Sequence, residues 1–201
     1  MIKAIAFDLG GVLFAEGNSV AAEKLSRERG YQKDRILGLF MSPKSIALRK
    51  GRIADAEFWA WAKQQLPDHY DVHLIQREWY DAYVKDEDIF RLIARLQGKY
   101  TIVAFSGNIK SRVDFLEEKY RFRRLFDVEV YSFMHGLSKM DKDFAKVMVR
   151  KSGVKAGEIV YVDDNEKHAS HAKELGVTVV IYAGGGIQQL QKELENAGVE
   201  P

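Results

Sequence analysis

The chain has 201 residues, 46% of them hydrophobic, which is enough to bury a sizeable core in one domain or in one domain with an insertion. Its 31 Lys and Arg nearly balance its 29 Asp and Glu, so charge does not point to a nucleic-acid partner. Cysteine is absent, which excludes a disulfide framework and a thiolate metal site. No apolar run approaches the roughly 18 residues of a membrane span, and the N-terminus does not read as a secretory leader. The expectation is a soluble, cytoplasmic protein with no membrane partner.

The first apolar run, "IKAIAF" (2–7), predicts a strand that delivers Asp8, with Gly10 and Gly11 close behind. Strands often end in Asp and Gly because both suit turns, so this stretch alone decides nothing. From about 16 to 84 no strand is expected. Apolar and aromatic residues there recur at helical spacing, as in "AEFWAWAKQQL" (56–66) and "LIQREWYDAYV" (74–84). The stretch reads as an inserted helical cap domain over 16–84, with 1–15 and 85–201 forming the core domain. Trp59, Trp61, Trp79, Tyr80 and Tyr83 are expected to serve chiefly as the insertion's own core. A cap of this kind can close over a site and exclude water.

Further apolar runs follow: "TIVAFS" (101–106), "VEVYSF" (128–133), "IVYV" (159–162) and "TVVIY" (178–182). They are continuous rather than alternating, which suits strands buried on both faces of a parallel sheet. Helical patterns over 109–120, 141–152 and 166–175 separate the later runs, each bounded by Gly or a polar cap. The densest positive patch, "RFRRLF" (121–126), reads as a solvated helix end. Strand alternating with helix implies right-handed crossovers. The fold class is therefore α/β, a doubly wound (Rossmann-like) parallel-sheet core with an inserted cap.

Ligands of an open parallel sheet sit beyond the carboxyl ends of its strands. Those ends deliver Asp8, then Ser106 with Gly107 and Asn108, then Lys139 in the loop "SFMHGLSKMD", then Asp163 and Asp164. Three carboxylates, a hydroxyl and an ammonium suit a phosphoryl group. A carboxylate can attack phosphorus, and Mg²⁺ takes carboxylate oxygens together with phosphate and water. The lysine, the hydroxyl and nearby backbone N–H groups would neutralise the equatorial oxygens. Glycines after Asp8 would let the backbone approach closely. His168 and His171 share a helix face, but magnesium already accounts for the carboxylates and solvent-facing histidines are the ordinary case.

The stretches "FDLGGVLF", "VAFSGN", "YSFMHGLSKMD" and "IVYVDDNEKHASHAKELGV" together resemble the four motifs of the haloacid dehalogenase-like (HAD) hydrolase superfamily, in the branch with a helical cap after the first motif. "LRKGRIADAEFW" (48–59) is similar to a turn and helix in such caps, and the resemblance spans about residues 2–183. It implies a Mg²⁺-dependent phosphatase that hydrolyses a small phosphorylated metabolite, such as a sugar phosphate, through an aspartyl phosphate. Carried over residue by residue, it maps the nucleophile onto Asp8 and the phosphate contacts onto Ser106 and Lys139. Gly11, Gly107 and Asn108 then lie against the substrate, and the metal is held by Asp8, the Gly10 carbonyl, Asp163 and Asp164.

The departures from the pattern carry information too. Phosphatases of the family usually have a second Asp two positions after the nucleophile, serving as general acid and base. Here that position is Gly10, which can offer a carbonyl to magnesium but no proton, and general acid catalysis typically contributes about 10²–10⁴-fold. Two alternatives follow: a non-hydrolytic or regulatory binding protein that has lost turnover, and a 2-haloacid dehalogenase, whose reaction does not use that Asp. Gly107 stands where Asn often follows the hydroxyl, and Met140 replaces the proline usual after the lysine. Nothing in the pattern fixes an oligomeric state.

Overall fold

Ala4–Phe7 of the first apolar run form strand β1, and all four side chains are fully buried. In the computed structural model, which describes residues 1–182 and 184–200, six helices follow before the next strand, five of them ahead of residue 84. Those five are α1 (Gly17–Arg29), α2 (Lys33–Phe40), α3 (Pro43–Arg49), α4 (Asp55–Gln65) and α5 (Val72–Asp81). Then come α6 (Glu87–Leu96), β2 (Thr101–Ser106), α7 (Lys110–Tyr120), β3 (Val128–Tyr131) and the single turn α8 (Ser132–His135). The chain closes with α9 (Lys142–Ser152), β4 (Ile159–Asp163), α10 (Glu166–Glu174), β5 (Thr178–Ile181) and α11 (Ile187–Asn196). Among the described residues no helix is long and apolar enough to cross a membrane.

The five strands pair in parallel in the order β3-β2-β1-β4-β5, a doubly wound Rossmann-like sheet. Alternation along the strands sorts the core into two layers. Ile5, Phe7, Ile102, Ala104, Val160 and Val162 pack on one face with residues of α1 to α7 and α11. Ala4, Ala6, Val103, Phe105, Ile159 and Tyr161 pack on the other against Phe144, Met148, Ala169 and Ala172 of α9 and α10. Apolar residues at every position of β1 are thus required, because helices cover both faces. Each fully buried Phe, Leu or Ile contributes about 1.5–3 kcal/mol relative to exposure.

The chain leaves and re-enters the sheet region through one neck. Ala15 donates to the carbonyl of Val84 at 2.8 Å and Asp86 donates to that of Leu13 at 2.9 Å. Most insertion aromatics pack among themselves: Phe40 stacks on Trp79 at 4.1 Å, and Phe58 and Trp59 surround them. Tyr83 and one side of Phe40 also line a cavity. The "RFRRLF" patch is only half solvated. Helix α7 ends where Arg121 turns to φ 54°, and a 3₁₀ turn then buries Phe122 and Leu125. Strand β3 stops at Tyr131, two residues short of its apolar run. There Ser132 begins α8 and donates its hydroxyl to the carbonyl of Arg49 at 2.6 Å.

A charged latch ties the loop after α3 to the loop before α9. Lys50 Nζ lies 2.7 Å from Asp141 Oδ2, which also accepts from the Ser138 hydroxyl and backbone, both at 2.8 Å. The bonds from Lys50 and Ser138 outweigh desolvation and hold the Asp141 carboxyl down to about 2. A carboxyl depressed on folding stabilises above its unfolded value and loses that contribution as pH falls through its folded value. The Tm difference between wild type and Asp141→Asn is therefore expected to be constant above about pH 5 and to vanish between about pH 4 and pH 2. Thermal melts across that range check it.

Candidate active site

The strand order changes direction at β1, because β2 and β3 build outward on one side and β4 returns to the other. Such a switch point opens a crevice at the carboxyl ends of the two strands. Register does the rest: Phe7 of β1 lies opposite Val162 of β4 and Ala104 of β2, so Asp8 emerges beside Asp163 and close to Ser106. Lys139 enters from the loop after α8, and its Nζ lies 2.6 Å from Asp8 Oδ2 and 2.8 Å from Asp163 Oδ2. Asp8, Ser106, Lys139 and Asp163 are all buried. Four residues far apart in sequence therefore meet at the carboxyl ends of the strands, two carboxylates on one ammonium.

Asp163 is the deepest of them and does not line the cavity. Its Oδ2 takes Lys139 and the hydroxyl of Tyr161, and its Oδ1 accepts from the Asn165 N–H at 2.9 Å. Burial opposes its ionisation, but the Lys139 charge and these hydrogen bonds leave its pKa below the ordinary value. Asp8 accepts from the Leu9 N–H at 2.7 Å, and its pKa is raised by burial and by Asp163, against the pull of Lys139. Asp164 is pushed up to about 7 by burial and by the Asp8 and Asp163 charges. Three carboxylates thus crowd one cation, a charge imbalance that a further cation would relieve. Asp163, Asp164 and His168 offer ligand atoms within 4.8 Å of one another. His168 is half-buried at the cavity, whereas His171 turns to Glu174 and the Met140 carbonyl.

Both glycines after Asp8 have steric reasons. Gly11 sits at φ 81°, and a β-carbon there would lie 2.0 Å from Asp164 Oδ2, so only glycine lets that carboxylate rest over the backbone. Gly11→Ala is expected to cost about 1–3 kcal/mol through positive-φ strain, before the displacement of Asp164 is added. A lowered Tm together with a weakened divalent-ion response would show both effects. Gly10 and Gly17 flank the ring of Tyr83: β-carbons there would lie 3.1 Å from Cε1 and 2.1 Å from Cε2. The side chain missing at position 10 is replaced by a neighbouring ring.

A cavity of about 620 Å³ opens above these groups, lined by Asp8, Gly10, Ser106, Gly107, Asn108, Lys139 and Asp164 on one side. Glu16, Phe40, Arg49 and Tyr83, all outside the five strands, line it too. Of the residues expected at the site, Gly11 lies beneath Asp164 instead of lining the cavity. Asn108 turns its side-chain oxygen to Arg112 Nε at 2.8 Å and to the Ile109 N–H at 2.9 Å. Its backbone N–H meets Ser132 Oγ at 3.0 Å. Sequence reasoning missed Arg112, Ser132 and Asn18, which line the cavity as well. Arg112 had one signal, its spacing of four from Asn108 at the start of a helix.

The fold and the crevice define a Rossmann-like α/β protein with a pocket at its switch point whose floor carries the charged groups. A model of the haloacid dehalogenase-like hydrolases matches residues 2–198, and the chain belongs to that hydrolase family. It is 38% identical to a protein of Dictyostelium discoideum described as uncharacterized, with 96% of each chain covered. Its fold is similar to that of a HAD family enzyme from Bacteroides thetaiotaomicron, crystallised with magnesium and inorganic phosphate. The TM-score is 0.80 at 22% identity, covering 94% of this chain and 99% of that one. It is also similar to L-2-haloacid dehalogenase from Xanthobacter autotrophicus with chloropropionic acid covalently bound. There the TM-score is 0.68 at 21% identity, covering 100% and 85%.

Proposed function

We propose that this hydrolase is a Mg²⁺-dependent phosphatase that cleaves a small phosphorylated metabolite through an aspartyl phosphate on Asp8. The observation that carries the reading is Lys139 held between Asp8 and Asp163 beside a third carboxylate, Asp164. Oxygen donors in excess of positive charge fit a hard divalent cation. Asp8, Asp164 and the Gly10 carbonyl would hold it, while Asp163 anchors Lys139. The ion would supply charge neutralisation for the phosphoryl oxygens. The magnesium and phosphate in the Bacteroides thetaiotaomicron relative support the same assignment.

In this reading an Asp8 oxygen attacks phosphorus as the bond to the ester oxygen breaks, and water later cleaves the acyl phosphate. Lys139 and Ser106 bind the phosphoryl oxygens through the transfer. No carboxylate stands at position 10 to protonate the departing oxygen, so that oxygen leaves with substantial negative charge. The rate should therefore fall steeply as leaving-group pKa rises. A series of aryl phosphates assayed with and without Mg²⁺ tests both points. A flat dependence would mean that the chain has an acid after all, and activity undiminished by chelation would remove the metal.

Gly10 also favours a second reading, hydrolysis of 2-haloacids, since that chemistry needs no acid at this position. The crowded acidic pair argues against it, because carboxylate attack on carbon uses no cation. Halide release from 2-chloropropionate without Mg²⁺ would decide for it. Stoichiometric phosphorylation of Asp8 without turnover would instead mark a regulatory protein.

A further inference from the structure

Arg112, in the first turn of α7, is 1% exposed, yet no carboxylate among the described residues forms a salt bridge with it. Its guanidinium lies 4.1 Å from the Tyr83 ring centroid and 5.0 Å from that of Trp79. Nε is occupied by Asn108, but Nη1 is buried without a hydrogen-bond partner. Leaving a charged donor unmet in a protein interior is costly, so such a group points to a missing acceptor. Arg112 lines the same cavity as Asp8 and Lys139.

A second cation faces it. Arg49, at the end of α3, also lines the cavity and is held by long contacts of 3.4 Å to the Gly107 carbonyl and to Asn18 Oδ1. It forms no salt bridge among the described residues, and its charge joins burial in pushing the Arg112 guanidinium down to about 10. Glu16, the nearby carboxylate that favours the Arg112 charge, has its two oxygens taken by the N–H groups of Asn18 and Ser19. Two like charges share one pocket. Planar guanidinium forks in that arrangement match carboxylate or phosphate oxygens.

We propose that Arg112 and Arg49 form a second anion-binding subsite, and that the substrate carries a carboxylate or a second phosphate besides the phosphoryl group offered to Asp8. The subsite stands on its own geometry, and only the assignment of the other group to Asp8 rests on the phosphatase reading. Aromatic faces on Tyr83 and Trp79 explain how the chain keeps Arg112 charged and rigid in the meantime.

Binding to the Mg²⁺-loaded protein is measured by calorimetry with three probe series of matched chain length: alkylphosphonates, ω-carboxyalkylphosphonates and alkylene diphosphonates. At the best length the doubly anionic probe should bind about 10- to 100-fold tighter than the singly anionic one, as charge-assisted bonds to two arginines allow. Whether the carboxylate or the second phosphonate gives the larger ratio identifies the group. Arg112→Gln and Arg49→Gln should each bring that ratio toward one. Arg49 is only partly buried, so its variant serves if loss of Arg112 disturbs folding. If the phosphatase reading alone fails, phosphonates will not compete with inorganic phosphate, yet short dicarboxylates will still bind in an Arg49-dependent way. A ratio near one at every length in the wild type, or a ratio that both variants leave intact, overturns the proposal.

Discussion

Asp8→Asn is expected to abolish turnover, by roughly 10⁴-fold or more, while leaving the protein folded with an equal or higher Tm. The two halves of that expectation have different causes. Activity is lost because an amide oxygen cannot open the covalent route. Stability is kept because the Asp8 carboxyl is raised by burial and by Asp163, so its charge is a burden in the fold. Lys139 would still pair with Asp163 at 2.8 Å. Hydrolysis of p-nitrophenyl phosphate together with thermal melts checks both, and residual activity near wild type would remove Asp8 from the reaction.

Lys139→Ala should fail in the opposite manner, through folding as much as through chemistry. It leaves Asp8 and Asp163 buried beside each other with no cation, and breaking a buried pair in this way costs about 3–5 kcal/mol. For a chain of this size that is a fall in Tm of roughly 6–20 °C. The double variant Lys139→Ala with Asp8→Asn should recover part of the loss, because one of the two stranded charges is gone. A Tm within two or three degrees of wild type (about 1 kcal/mol) for the single variant would contradict the burial of this triad.

Much of this architecture is legible in the sequence because parallel strands covered on both faces leave a plain mark. Each of the five apolar runs became a strand, and four polar groups sit at or just beyond the carboxyl ends where the runs stop. What the sequence hides depends on contacts made across the insertion. Arg112 stands in "KSRVDFLEEKY", which looks like an ordinary solvated helix face. Tyr83 and Trp79, supplied by a distant segment, are what bury it. Strand β3 ends early for a similar reason, since the Ser132 hydroxyl is claimed by the Arg49 backbone. Asn108 looks like a substrate contact in a motif and is instead partly spent on Arg112 and the start of α7.

The ring of Tyr83, wedged between Gly10 and Gly17 and bearing the guanidinium of Arg112, leaves little room for a side chain at position 10. A β-carbon at position 10 would lie 3.1 Å from that ring and push it by a few tenths of an ångström, whereas trimming the ring uncovers Arg112. A side chain introduced at position 10 is therefore coupled to the pocket of Arg112. Substitutions at positions 10 and 83 should be non-additive as a result.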